Sequence, residues 1–265
     1  MVDLRTMSRF PPSIAVIIPA YNAANTLDRT LRSAIASLRH CIDVEKLEAD
    51  AEIIVVDDRS TDDTPNIVRR LAQQEPRIKL CINAENRGPG FSRNEGVRNT
   101  TAQYLFFLDA DDVFYDNHIH ACLSALLADD ALGYVFTRMK IDMPMHPDWH
   151  DSLDESCPIN FCVRRVWHEW IKGFAEEDDF RTYRTEDTLY RMCLRKLVKH
   201  KKLDIETCEQ FISPGNALDR QRQKLSMSKA EFSKSGISDG FVMTEQMKQV
   251  SLDRLMHVER LAGRA

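Results

Sequence analysis

Apolar runs recur along the first 110 residues, and each one stops in polar or acidic residues. Ile14 to Ile18 is a short β-branched run halted by Pro19, the pattern of a strand covered on both faces. Asn25 or Thr26 then stands where a helix cap is expected, and Leu27, Leu31, Ala34, Ile35 and Leu38 recur on one helical face. A second strand is predicted at Ile53 to Val56, ending in Asp57 and Asp58, with Ile67, Val68 and Leu71 marking the next helix. Ile78 to Ile82 and Tyr104 to Leu108 read as two further strands, separated by the glycine-opened loop and helix GPGFSRNEGVRN. Continuous apolar strands alternating with helices predict an α/β fold with a mostly parallel sheet and helices on both faces. Ligands in such sheets lie beyond the carboxyl ends of the strands. Pro19 to Asn22, Asp57 to Ser60 and Asp109 to Asp112 all follow such ends, so one rim is expected to gather them.

Beyond residue 112 the pattern is less regular. A strand is predicted over 133–141, followed by DMPMHPDWHDSLDESCP, a polar, proline-punctuated loop. A helix opens near Thr185, with Leu189, Tyr190, Cys193, Leu194 and Leu197 as its buried stripe, and residues 203–212 read as a closing strand. In the tail, Val250 with Leu255 and Leu252 with Met256 have helical spacing, which predicts an amphipathic helix docked on the main domain or on a second subunit.

Composition mainly excludes. The 265 residues, 43% hydrophobic and 29% charged, are those of an ordinary soluble globular protein. A net charge of -5 leaves no chain-wide basic field, so nucleic acid is not an expected partner. No apolar stretch approaches the roughly 20 residues that span a bilayer, and the opening residues lack the apolar centre of a signal peptide; a cytoplasmic protein without a transmembrane segment is expected. Seven scattered cysteines without a C-x-x-C pair read as reduced and mostly buried. His118 and His120, two apart in a predicted helix, diverge and make a poor zinc pair. The basic clusters Arg195 to Lys202 and Arg220 to Lys234 suit solvated helix ends better than peripheral contact with a membrane or an anionic acceptor.

The segment YLFFLDADD brings Asp109, Asp111 and Asp112 within four residues of one another at a strand end. Close carboxylates repel by roughly 4 kcal/mol per pair at an effective dielectric near 20. Solvation and helix capping offset part of that; a hard divalent cation, Mn²⁺ or Mg²⁺, offsets more, and such ions keep open positions for substrate phosphates.

VIIPAYN, VVDDRSTD, NRGPGFSRNEGV, YLFFLDADD and KGFAEE followed by TED, in that order and at similar separations, resemble the family 2 glycosyltransferases with the GT-A fold, over roughly residues 13–212. The resemblance implies inverting transfer of a sugar from a nucleotide-diphosphate sugar, most commonly a UDP-sugar, to a hydroxyl of a carbohydrate or lipid-linked acceptor. It places Pro19, Ala20 and Tyr21 against base and ribose, Asp58 on the base, and Arg93 on base or phosphate. Asp111 resembles the direct metal ligand, Asp109 a ribose or metal contact, and Asp187 the general base. On the residues alone, Thr185-Glu186-Asp187 is also a good helix opening.

The organisation expected is a flexible segment over 1–12, a nucleotide-binding half over 13–112, an acceptor-binding half over 113–215 and a helical extension over 216–265, which offers a surface for homo-oligomerisation. Three departures from the family pattern stand out. Arg59 and Lys172 occupy places where the family often has glycine, and no His after the closing strand completes a metal shell. Two other classes also set acids at a sheet rim. A nucleotidyltransferase is expected to carry a glycine-rich basic loop where this chain has PAYNAANT, and a receiver-like switch to carry its acidic pair after the first strand.

Overall fold

A computed structural model describes residues 12–45, 50–213, 215–238 and 240–263. The segment 1–12, expected to be flexible, lies outside the described residues except for Pro12. In chain order the elements are β1 (Ile14–Ala20), α1 (Leu27–Glu45), β2 (Ala51–Asp57), α2 (Thr64–Ala72), β3 (Ile78–Ile82), α3 (Gly88–Arg98), β4 (Tyr104–Phe107), β5 (Val113–Phe114), α4 (His118–Ala128) and β6 (Leu132–Ile141). They continue with α5 (His150–Asp154), β7 (Phe161–Arg164), α6 (Arg165–Trp170), α7 (Asp178–Tyr183), α8 (Glu186–Leu197), β8 (Lys199–Gln210), α9 (Ala217–Leu225), α10 (Lys229–Ser235) and α11 (Glu245–Ala262).

One sheet runs β3-β2-β1-β4-β7-β6-β8-β5. β1 to β4 pair in parallel, as does β6 with β8; β7 is antiparallel to both its neighbours, and β5 to β8. Period-two alternation splits the core into two layers. Ile14, Val16, Ile18, Ile53, Val55 and Phe106 face α1, α2 and α4; Ala15, Ile17, Ile54, Val56 and Phe107 face α3, α8 and α11.

Pro19 does not halt β1, which continues to Ala20. Ile17 O accepts from Leu108 N at 3.0 Å, so the nitrogen of Pro19, two residues on, faces the same side, beyond the last paired residue of β4. No ladder bond is lost there. α3 rides close on β1: a Cβ at Gly96 would lie 2.4 Å from Ile17 Cγ2, so only glycine allows the approach that carries the start of α3 to the rim.

Three expectations change beyond β5. β8 begins at Lys199, four residues before the predicted 203. The 142–158 stretch is built, with a 3₁₀ turn at Pro147–Trp149 followed by α5, and it docks on the extension: Trp149 Nε1 donates to Met227 O at 2.8 Å and His146 N to Leu225 O at 2.8 Å. The tail holds three helices rather than one. In α11, Val250 and Leu255 lie against the core that includes α8, whereas Leu252 and Met256 are exposed.

All seven cysteines are free, six of them buried. His118 sits in the core with its Nδ1 2.7 Å from Thr207 Oγ1. Arg195, Lys196, Lys199 and Lys202 each face a carboxylate, of Glu155, Glu259, Asp129 and Asp151 respectively, which neutralises most of the first basic cluster. No helix among the described residues is long and apolar enough to cross a membrane.

Candidate active site

The three strand-end loops meet as expected. Asn22 N donates to Ser60 Oγ at 2.9 Å and Asn22 Oδ1 accepts from Thr61 N at 2.8 Å; Ala23 N donates to Thr64 Oγ1 at 2.8 Å. These bonds fasten the loop after β1 to the loop after β2. Tyr21, at the tip, stays 53% exposed beside the buried Ala20. Arg59 takes φ +66°, the left-handed region, which explains why a glycine suits this turn and why the substitution is strained.

Asp57 and Asp58 end β2 in different roles. Asp57 is buried, its Oδ2 accepting from Ser60 N at 3.3 Å while Oδ1 has no partner among the described residues. Asp58, 3% exposed, accepts from Asn83 Nδ2 (2.8 Å), Arg87 N (2.9 Å) and Gly88 N (2.7 Å). Its carboxylate thus shapes the loop leading into α3.

The acidic loop after β4 is held from α1. Thr26 Oγ1 does not cap that helix; it donates to Ala110 O at 2.8 Å, and Thr30 Oγ1 reaches Ala110 O and Asp112 O at 3.0 and 2.8 Å. Asp112 turns inward, accepting from Phe211 N at 2.9 Å; burial, with the charges of Asp111 and Asp109, pushes its carboxyl well above the usual range. Asp109 and Asp111 remain half-buried at the rim. Burial and the Asp109 charge also raise Asp111, whose Oδ2 accepts from Ser213 Oγ at 3.0 Å and Asn216 Nδ2 at 3.4 Å.

Arg93, on α3 and 3% exposed, spans the site. One of its terminal nitrogens donates to Asp109 Oδ1 at 2.6 Å and the other to Glu186 Oε1 at 2.8 Å, with the Phe174 ring 5.2 Å from the guanidinium. Burial opposes its charge, but Asp109 and Glu186 outweigh that and raise its pKa. Phe174 itself is set by Asn94, whose side chain accepts from Phe174 N at 2.9 Å and donates to Phe174 O at 3.0 Å. A Cβ at Gly173 would fall 2.4 Å from Asn94 Oδ1, and both Lys172 and Gly173 have positive φ, +66° and +65°. The departure at Lys172, like that at Arg59, lies where a glycine would relieve strain.

Asp187 is the second residue of α8, half-buried, accepting from Thr188 N at 2.6 Å. Burial first, and then the charge of Glu186, raise it to about 7, with Arg93 pulling the other way. Thr185 does not act as a side-chain cap; its Oγ1 is buried without a partner among the described residues, as is Glu186 Oε2. The segment is a helix opening as expected, with Thr185 at the cap position and Glu186 and Asp187 in the first turn, but without the side-chain cap bond.

Pro19 to Tyr21, Asp58, Arg93, Asp109, Asp111 and Asp187 are therefore arrayed along one rim and the segment facing it. The sequence reading missed Glu186, Asn83, Ser213 and Asn216. Glu186 was visible only as part of a helix opening, and the other three are ordinary loop residues whose partners lie 25 to 105 positions away. Among the described residues no group of three or more His, Cys, Asp or Glu side chains converges on one metal position.

A parallel half-sheet with an acidic rim, extended through an antiparallel strand into a second half that faces it, is a GT-A fold. Two solved structures show the same architecture. Staphylococcus aureus TarS residues 1–349, crystallised with UDP, aligns with TM-score 0.62 at 19% identity over 94% of this chain and 83% of that one. The mannosyltransferase PcManGT from Pyrobaculum calidifontis, in complex with GDP-Man and Mn²⁺, aligns with TM-score 0.64 at 19% identity over 96% and 74%. The chain belongs to glycosyl transferase family 2, whose model matches residues 15–203. It is 32% identical over 167 residues to the succinoglycan biosynthesis protein ExoU of Rhizobium meliloti, covering 63% of this chain and 43% of that one. It is 29% identical over 241 residues to the chondroitin synthase of Pasteurella multocida, covering 80% and 24%. The chain spans less than half the length of these curated relatives.

Proposed function

We propose that this chain transfers a sugar, with inversion, from a nucleotide-diphosphate sugar to a hydroxyl of a carbohydrate or lipid-linked acceptor, in glycan or cell-envelope polysaccharide synthesis in the cytoplasm. The observation that carries this reading is the Arg93 bridge. By bonding Asp109 at 2.6 Å and Glu186 at 2.8 Å it joins the acidic strand end to the residue beside Asp187. On this reading the bridge holds the donor side and the proton acceptor at a set distance from each other.

The role of each side chain follows from its surroundings. The exposed ring of Tyr21, with Pro19 and Ala20, is a platform for base and ribose. Asp58 uses three of about four lone-pair sites within the chain, leaving one for a base N–H. Arg93 keeps Asp109 in place and adds positive charge beside the phosphates. Asp187, on the far side, takes the proton of the acceptor hydroxyl as that oxygen bonds to the anomeric carbon; the bond from that carbon to the diphosphate breaks, and its electron pair leaves with the diphosphate oxygen. A base opposite the leaving group gives inversion. A carboxyl raised to about 7 is a stronger base than an ordinary aspartate while still ionised in useful amount at neutral pH.

The residues present fit a divalent cation, Mn²⁺ or Mg²⁺. Asp109 Oδ2 and Asp111 Oδ1 are hard oxygens that accept from no other described residue, and the two carboxylates repel each other without a cation. A bound cation supplies neutralisation of the charge that develops on the leaving diphosphate. We take a UDP-sugar as donor. TarS, of the same fold, is described in complex with UDP-GlcNAc, and the GDP-Man complex of PcManGT makes GDP the competitor to include.

Thermal shift with UDP, GDP and their sugar conjugates, with and without Mn²⁺, tests this. UDP is expected to raise the Tm in a metal-dependent way, by up to about 2.7 kcal/mol of added stability at 100-fold excess over Kd. Asp111→Asn is expected to abolish the metal-dependent part. An unchanged response in that variant removes the metal role.

A further inference from the structure

The segment after β8 folds back over the acidic loop. Phe211 N donates to Asp112 Oδ1, and the Arg29 guanidinium lies 3.8 Å from the centre of the Phe211 ring while donating to Asp111 O at 2.7 Å. From the same segment, Ser213 Oγ at 3.0 Å and Asn216 Nδ2 at 3.4 Å both reach Asp111 Oδ2. Two donors converge on one oxygen and leave Oδ1 without a partner from another described residue.

The orientation of the Asn216 amide is set twice over. Its Oδ1 accepts from Asp219 N at 3.0 Å, which caps α9, and its Nδ2 donates to Phe211 O at 2.8 Å. A flipped amide would lose both bonds, so the remaining N–H is obliged to face Asp111. The chemistry of the two donors also matters. Asp109 already has a full positive charge against it in Arg93, whereas Asp111 is bonded through its side chain only to neutral groups. Neutral donors fix a carboxylate without cancelling the charge that attracts a cation.

We propose that Ser213 and Asn216 are positioning residues for the divalent cation. By tethering Asp111 Oδ2 they hold Oδ1 toward the place where cation and donor diphosphate meet, which makes the start of the C-terminal extension a part of the donor site. This rests on the metal role of Asp111 proposed above, and it answers how a shell without a histidine keeps its carboxylate in register.

The test compares Ser213→Ala, Asn216→Ser and the double variant with the parent and Asp111→Asn. Asn216→Ser retains a side-chain oxygen that caps α9 but removes the donor to Asp111. Mn²⁺ affinity is read from the free-ion signal in electron paramagnetic resonance, with the nucleoside diphosphate that stabilises the parent present at saturation. The double variant is expected to bind Mn²⁺ about 10- to 100-fold more weakly, as loss of partners to a metal ligand commonly does, with metal-free nucleotide affinity unchanged. Ser213→Thr, which keeps the hydroxyl, is expected to bind like the parent. Parent-like Mn²⁺ affinity in the double variant, alongside loss in Asp111→Asn, overturns the positioning role and spares the metal reading. Parent-like affinity in Asp111→Asn, or no Mn²⁺ binding by the parent, overturns both.

Discussion

Along the loops that follow β1, β2 and β4, most polar side chains have partners within the chain, Asn22 with Ser60 and Thr61, Asp58 with three donors, Thr26 and Thr30 with the acidic backbone; the oxygens left over include single atoms of Asp57, Asp109 and Asp111. The facing segment from 177 to 187 differs. Glu177 Oε2, Thr185 Oγ1 and Glu186 Oε2 are buried without a partner among the described residues, and Asp187 holds its proton to about 7. Buried polar atoms normally find partners, and three orphans within ten residues are consistent with a network that a ligand's hydroxyls complete, although Asp179, Arg181 and Glu186 Oε1 in the same stretch are bonded within the chain. On the function proposed above, the rim lacks only the cation and donor, whereas the facing segment is left for the acceptor's hydroxyls to complete.

The largest effect that would break this contrast is at Asp187. Asp187→Asn is expected to lower kcat by about 10²- to 10⁴-fold with the donor KM within a few-fold of the parent, measured as initial rates over donor concentration. In the parent, kcat/KM should rise as pH increases through about 7 and then level, because only the ionised carboxylate accepts the proton. Stability runs the other way. The folded pKa lies above that of an unfolded aspartate, so between about pH 4 and about pH 7 the native state keeps a proton the unfolded chain has released, and stability falls as pH rises through that window. Urea unfolding should therefore show Asp187→Asn more stable than the parent near pH 8 and level with it near pH 4. A parent and variant of equal stability at both ends would mean that the acceptor wall carries no such strain.

Next in size is the residue that ties the walls together. Arg93→Met leaves Asp109 and the buried Glu186 without their common cation, and removing one partner of a buried pair costs about 3 to 5 kcal/mol. For a chain of this length that is a Tm lower by roughly 6 to 20 °C, checked by calorimetry. A loss under about 1 kcal/mol would show that the halves are held together by apolar contact alone.

The same contrast governs what the sequence revealed. β1, β2 and β4 are continuous apolar runs because both faces are covered, and the polar residues that stop them are the rim; the fold and the Asp58, Asp109 and Asp111 positions were readable for that reason. β8, KHKKLDIETCEQ, is largely exposed over its first eight residues and pairs with β6 through register shifts, so no period announced its start. Ser213 and Asn216 gave no signal at all. Turn residues owe their importance here to a carboxylate more than 100 positions away, and local pattern does not carry information over that distance.

The smallest effect probes strain on the two walls together. Arg59 on the first and Lys172 on the second both hold φ +66°, are exposed, and make no side-chain hydrogen bond or ion pair among the described residues. A non-glycine residue there costs on the order of 1 to 3 kcal/mol, and replacing it by glycine returns part of that to the unfolded chain as about 0.5 to 1 kcal/mol of extra entropy. Arg59→Gly and Lys172→Gly are each expected to gain about 0.5 to 1 kcal/mol in urea unfolding, additively, since they sit in separate loops. Their effects on turnover should part company. The turn at Arg59 is clamped through Ser60 and Thr61 to Asn22, so its glycine variant should keep parent kinetics. Lys172 precedes Gly173 and Phe174, whose ring lies under Arg93, and added freedom there should raise the acceptor KM by about two- to three-fold without touching the donor KM. Equal kinetic responses from the two variants would erase the distinction proposed between a donor-side rim and an acceptor-side segment.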